Sequence, residues 1–249
     1  MQHWDTPQSK LDIASEEVHI WYANLDLSTT AVDKLEILLT ENEREKANRF
    51  RFEKHRRRFI IARGRLRQIL ANYLPIPASE IIFDYSDRGK PSLSDGLNKN
   101  NLQFNLSHSD NLALYAFSPQ KRIGIDVEYL CSRSEPLQIA RRFFAPQEYK
   151  LIASLEENRQ LEIFLHIWTI KEAYLKATGE GLSGSLDAVE VFFQGEKPQG
   201  LASIGGNAQK ASEWFVHSFI PTTNFIATVV VENKLNRIQQ QKIKFWKIL

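Results

Sequence analysis

Cysteine is almost missing. Cys131 stands alone among 249 residues, which excludes an intrachain disulfide framework and any multi-cysteine metal site, and fits a reducing compartment. No stretch comes near the ~18 consecutive apolar residues of a membrane span. The opening MQHWDTPQSK is polar, without an apolar signal segment, so the expectation is a cytoplasmic protein with no membrane partner. The glycines follow neither the GxxxxGK[ST] nor the GxGxxG spacing, which removes the P-loop and the dinucleotide fingerprint. Neither sign of charge dominates, with 32 Lys or Arg against 30 Asp or Glu. A formal net charge of +2 argues against a dedicated nucleic-acid binder. No short-period repeat is visible.

Core material is plentiful, with 43% hydrophobic residues, fifteen Phe and five Trp, enough for one large domain or two small ones. EVHIWYANL at 17–25 alternates as a strand, and Ser28, Thr29 or Thr30 would cap a helix over 31–39. Residues 41–73 read as helix, broken near Phe52, with Phe59, Ala62, Leu66 and Ile69 or Leu70 as its core stripe. Residues 41–67 carry eleven Lys or Arg against four Glu, a local excess that suits phosphates or an acidic protein. For most of its arginines, including Arg56, Arg63 and Arg67, a solvated helix face is the plainer account. SEIIFDYS, LQFNLSHSD, NLALYAFS and RIGIDVEY read as strands, and SDRGKPSLSDG as a loop. EPLQIARRFF, PQEYKLIASL and 161–176 are helical, the last ending at Gly179, Gly181 and Gly184. Strands return in LDAVEVFFQ, SEWFVHSFI and FIATVVVE, and the basic tail from Lys234 would be a tail or a terminal strand. Strands segregated from helices define an α+β class. The natural division falls near 120, giving subdomains 1–120 and 121–249.

Two short stretches carry chemistry. In WTIKEAYLK, Trp168, Glu172 and Lys176 recur at i, i+4 and i+8 and share one helix face. In RIGIDVEY, a period of two puts Asp126 and Glu128 on one side of a strand. Three carboxylates from a strand and a helix suit a hard divalent cation such as Mg²⁺, with Lys171 and Lys176 in reach of the phosphates such an ion accompanies. A surface salt-bridge helix would explain Glu172 and Lys176 equally well, but alternate acids in an apolar strand need a partner. His108 at a strand end, beside Ser107, suits a phosphate or a simple capped loop. Lys90, between Gly89 and Pro91, is either solvated or holds an anion.

FNLSHS at 104–109, GIDVE at 124–128, WTIKEAYLKATGEGL at 168–182 and RGKP at 88–91 together resemble the two-domain, Sfp-like 4′-phosphopantetheinyl transferases. The resemblance spans all but about the first 15 and last 20 residues. It implies two similar subdomains, each an antiparallel sheet packed with helices, related by a pseudo-twofold axis. It implies transfer of the 4′-phosphopantetheine arm of coenzyme A to a serine of an apo acyl or peptidyl carrier protein, releasing 3′,5′-adenosine bisphosphate. Asp126, Glu128 and Glu172 would hold Mg²⁺, or Mn²⁺, against the pyrophosphate. Lys176 would contact that pyrophosphate and Lys171 would belong to the surrounding basic shell. Ser107 and His108 would bind the 3′-phosphate, and Lys46, Lys90 and Arg63 further phosphates. Glu172 is the first choice of base, with Asp126 and Lys176 completing the catalytic set. The carriers would serve fatty-acid, polyketide or peptide synthesis, docking at the basic stretch and around Phe143, Phe144 and Tyr149, which would otherwise be core. A monomer is expected. A Mg²⁺-dependent hydrolase on the same cluster, a nucleic-acid binder on the arginine-rich helix and a non-catalytic scaffold are the competing readings.

Overall fold

Strand β1 (Glu17–Asn24) sets the plan because both of its faces are apolar. Its neighbour β5 (Leu112–Pro119) is buried almost end to end. Val18 and Ile20 of β1, with Leu112, Leu114 and Ala116 of β5, point one way; Trp21 and Ala23, with Ala113, Tyr115 and Phe117, point the other. A sheet apolar on both faces must be covered twice. The long helix α3 (Glu53–Tyr73) covers the outer face with Ile61, Leu66, Ile69 and Leu70. A second sheet covers the inner face. The computed structural model describes residues 1–7, 10–98, 101–131, 135–180, 186–233 and 241–249; Gly181, Gly184 and residues 234–240 of the tail lie outside them.

Before α3 come α1 (Thr29–Glu36), capped by the Ser28 hydroxyl, and α2 (Glu41–Asn48). After it come the short hairpin β2 (Phe83–Tyr85) and β3 (Pro91–Leu93), then β4 (Leu102–Ser109) and β5. The second half begins at β6 (Ile123–Tyr129), followed by α4 (Pro136–Phe143), α5 (Pro146–Ser154) and the long α6 (Glu157–Thr178). Then come the hairpin β7 (Val189–Gln194) and β8 (Lys197–Ile204), a short α7 (Ala208–Ser212), β9 (Trp214–Phe219) and β10 (Phe225–Glu232). The order strand, three helices, hairpin, two strands therefore occurs twice. The sheets repeat it: β1-β5-β4 in the first half and β6-β10-β9 in the second, antiparallel throughout. Ile123, Ile125 and Val127 of β6, with Ala227, Val229 and Val231 of β10, face the first sheet, while α6 covers the far side against Ile226 and Val230. The layers run helix, sheet, sheet, helix.

One strand crosses the division. β11 (Lys242–Lys247) adds in parallel to the outer edge of β1, so the last part of the 121–249 segment belongs to the first half's sheet. Trp246 packs on Trp21 there. Lys244 meets Glu17 at 2.7 Å, and Glu17 lies 3.2 Å from Nε2 of fully buried His19. The Trp21 indole donates to the Tyr73 hydroxyl at 2.8 Å. That hydroxyl is 2.8 Å from His19 Nδ1, an arrangement that assigns its proton to the bond with Nδ1 and the imidazole proton to Nε2.

The arginines of α3 differ from the solvated face expected of them. Arg63, Arg65 and Arg67 are buried. α2 folds back and offers Glu43, which takes Arg67 Nε at 3.0 Å and Nη2 at 2.8 Å and stands 3.4 Å from Arg63 Nε. Arg67 also donates to the Ile81 carbonyl at 2.8 Å. Farther up, Arg56 pairs with Glu36, and Arg58 pairs with Asp26 and Asp110. Much of the local positive excess is therefore spent inside the molecule. β3, expected as loop, is a three-residue strand fixed by its partner; β8, paired with β7 through register shifts, and the five-residue α7 were not anticipated.

Candidate active site

The site grows from the contact between β6 and α6. Gly124 faces the helix, and a Cβ there would lie 2.0 Å from the Ala173 carbonyl oxygen and 2.4 Å from the Ala177 nitrogen. Only glycine lets the backbones close to this distance. The next residues on the same side of β6 are Asp126 and Glu128, and the facing turns of α6 present Glu172 and Lys176.

A third element completes the seam. The face of β4 that looks towards β6 carries Asn105, Ser107 and Ser109 at every second residue, and each bonds β6. Asn105 Oδ1 accepts from the Ile125 N–H at 2.9 Å. Ser107 Oγ donates to Asp126 Oδ1 at 2.9 Å. Ser109 Oγ donates to Glu128 Oε2 at 3.0 Å and accepts from the Tyr129 N–H at 3.1 Å. Lys176 reaches into the same cluster, donating to Asp126 Oδ1 at 2.5 Å and to Ser107 Oγ at 2.8 Å.

The electrostatics are those of crowded acids. Burial, then the charge of Asp126, pushes Glu172 up to about 7; Glu128 adds to the rise and Lys176 opposes it. Glu128 is raised by burial and by Asp126, against a Ser109 bond, the Lys176 charge and a Trp168 bond. Two carboxylate oxygens, Asp126 Oδ2 and Glu172 Oε1, are buried without a hydrogen-bond partner. Such oxygens are costly unless a cation or donor meets them, so this donor set fits a hard divalent ion. Among the described residues, no three His, Cys, Asp or Glu are gathered tightly enough to enclose one; the cation touching Asp126 is the Lys176 ammonium.

Beside this cluster opens a pocket of about 290 Å³ lined by Arg63, Lys90, Asn105, Leu106, Lys176 and Gly179, among others. A second recess holds Lys46, Phe59, Arg67 and Tyr85. The Arg63 guanidinium carbon lies 5.2 Å from the Phe83 ring centre and 5.8 Å from that of Tyr85, and its Nη1 is buried without a partner. Lys46 Nζ stands 5.7 Å from the Phe59 centroid. His108 is exposed at the end of β4. Desolvation of its ring, with repulsion from Lys176, Arg58 and His55, holds its pKa below the usual imidazole value.

Ser107, Asp126, Glu128, Glu172 and Lys176 thus meet at one seam, with Arg63 and Lys90 on the adjoining pocket and Lys46 in the next recess. Lys171 does not join them. It is fully buried on another face of α6, bonded to Glu148 at 2.7 Å, to the Leu186 carbonyl at 2.8 Å and to the Val189 carbonyl. One residue along a helix turns a side chain by about 100°, which carries Lys171 away from the face of Glu172. Lys90 is also engaged otherwise than expected: its ammonium donates to the carbonyls of Lys176 at 2.5 Å, Ala177 at 3.2 Å and Ile123 at 3.4 Å. Phe144 is core, stacked on Phe164, whereas Phe143 is partly exposed. Asn105 and Ser109 were not singled out from the sequence as site residues, although the period-two polar row in FNLSHS was there to be read. Among the described residues no helix is long and apolar enough to cross a membrane.

Two copies of one α+β topology, meeting at a cleft that gathers acids and ammonium groups, define a two-lobed enzyme class. Its family follows from comparison. The profile of the 4′-phosphopantetheinyl transferase superfamily matches residues 122–230, and that of the 4′-phosphopantetheinyl transferase N-terminal region matches residues 28–120. The 4′-phosphopantetheinyl transferase HetI of Nostoc sp. is 42% identical over 232 residues, 93% of this chain and 94% of the relative. The transferase Sfp of Bacillus subtilis is 31% identical over 172 residues, 68% of this chain and 73% of the relative. The L-aminoadipate-semialdehyde dehydrogenase-phosphopantetheinyl transferase of Mus musculus is 32% identical over 156 residues, 59% of this chain and 50% of the relative. The chain belongs to the 4′-phosphopantetheinyl transferase superfamily. It is a transferase of a family that uses coenzyme A as substrate and acts on carrier proteins.

Proposed function

We propose that the seam between β4, β6 and α6 is the transfer site, and that Asp126, Glu128 and Glu172 hold Mg²⁺, or Mn²⁺ in its place, beside the coenzyme A pyrophosphate. The observation that carries this reading is the pair of partnerless buried oxygens, Asp126 Oδ2 and Glu172 Oε1, next to an ammonium already in contact with Ser107. When bound, the ion neutralises charge growing on the phosphoryl oxygens. Lys176 leaves Asp126 for those oxygens and shares that task. Ser107 and His108 bind the 3′-phosphate, and Arg63 and Lys46 line its approach. The carrier serine Oγ bonds to the β-phosphorus as the bond to the bridging oxygen breaks, and 3′,5′-adenosine bisphosphate departs. Glu172 takes the serine proton, because it stands on the helix face it shares with Lys176 and beside Asp126, where the nucleophile must approach. The acceptor is an acyl carrier protein or a carrier domain of a polyketide or peptide synthase, the enzyme acts as a cytoplasmic monomer, and the halves divide near residue 120.

Incubation with coenzyme A and a panel of apo carriers tests the reading. The expected result is a carrier mass gain of about 340 Da, abolished by chelator and restored by Mg²⁺. Absence of the gain on every carrier, or transfer indifferent to chelator, overturns it. For the base, E172Q with metal content verified is expected to lose about 10²-fold or more in turnover. Unchanged turnover at full metal occupancy removes Glu172 from that role.

A further inference from the structure

Lys90 sits in the first half, and all three carbonyls it bonds are in the second. Two of them, Lys176 and Ala177, are in the last turn of α6, and the third, Ile123, opens β6. The last carbonyls of a helix have no partners within it, and a cation there also meets the negative end of the helix dipole. The loop is shaped for the task. Gly89, at φ +77°, turns the chain. Its N–H bonds the Ser86 carbonyl at 2.7 Å, and the Lys90 N–H bonds Ser86 Oγ at 3.1 Å. The backbone of Lys90 is therefore anchored while its ammonium crosses the seam. Lys176, whose own carbonyl Lys90 holds, contacts both Asp126 and Ser107 through its ammonium.

We infer that Lys90 is a positioning residue: it pins the C-terminal turn of α6 to β6 and so sets Lys176 at the cleft, rather than serving as a phosphate ligand. The inference rests on the transfer reading above and adds a residue that acts through Lys176. An ammonium satisfied by three carbonyls has little left to offer a phosphate. A small displacement of Lys176 acts on the reacting groups more than on the binding of the nucleotide.

The test compares wild type, K90M and K90Q in three measurements: transfer kinetics at varied coenzyme A, calorimetric binding of coenzyme A, and hydrogen exchange over residues 174–180. For K90M the expected result is a loss of about tenfold or more in kcat. KM and Kd for coenzyme A should stay within about twofold, with faster exchange at the end of α6. K90Q, which keeps an amide donor, should fall between the two, and it carries the same comparison should K90M not fold. A rise in KM and Kd with kcat retained makes Lys90 a phosphate ligand and overturns the inference. So does an unchanged kcat, or unchanged exchange at 174–180. If wild type transfers nothing, the transfer reading fails by itself, and hydrogen exchange still reports whether Lys90 holds the helix end.

Discussion

Lys171 and Lys176 lie five residues apart on one helix and have opposite surroundings. Lys176 is partly exposed at the seam; Lys171 is sealed against Glu148 and two carbonyls. K171M leaves Glu148 buried beside no cation. It is expected to lower stability by about 3–5 kcal/mol in denaturant unfolding while leaving KM for coenzyme A within about twofold. His19 gives a residue-scale prediction in pH. Burial holds its pKa below the usual 6.5, with Glu17 opposing and Lys244 reinforcing the shift. As pH falls below 6.5 the unfolded chain takes up a proton that folded His19 refuses, so its contribution is complete above 6.5 and declines on acidification towards its folded pKa. Denaturant midpoints between pH 7 and 5 should fall in wild type and fall less in H19Q. At this scale the sequence disclosed the seam's acids and Lys176, because a helical or strand period assigns a side to each, and Ser107 through its place beside His108. It did not disclose Lys90's partners or the burial of Lys171 and Arg67. Those depend on Glu148, Glu43 and backbone carbonyls brought in from distant segments.

At the scale of elements, the closeness of α6 to β6 is decided by one missing methyl group. G124A would drive a Cβ into the Ala173 carbonyl. Its expected cost lies at the upper end of the roughly 1–3 kcal/mol of overpacking, together with a fall in kcat as Lys176 moves. Retained stability and turnover would show that the helix can shift without consequence. Most elements were readable from their period, including the break near Phe52, which is extended and ends the four-residue link between α2 and α3. Strands β3 and β8 were not, because a three-residue strand and a bulged one are specified by the partner strand rather than by their own pattern.

For the whole molecule, the repeat of one topology is plain in the sheet order and invisible in the sequence. The two long helices show why: α3 is arginine-rich on the side that meets α2, and α6 is buried on most of its sides from Ile163 to Ala177. Each half answers to different neighbours, so a shared backbone survives without a shared residue pattern. β11 binds the halves further. Deleting residues 241–249 would uncover the outer edge of β1 and remove the Trp246 contact with Trp21. The expected result is a lower melting temperature and increased light scattering from self-association; unchanged scattering and unchanged stability would contradict the role given to this strand.

That returning strand also fixes an order of events during synthesis. Residues 17–119 emerge first with β1 lacking one lateral neighbour, and that neighbour is made only after the entire second half. The nascent chain must therefore keep an open strand edge from self-pairing while residues 120–241 are translated. Completion of its first sheet waits on a strand that the chain supplies only after the second sheet.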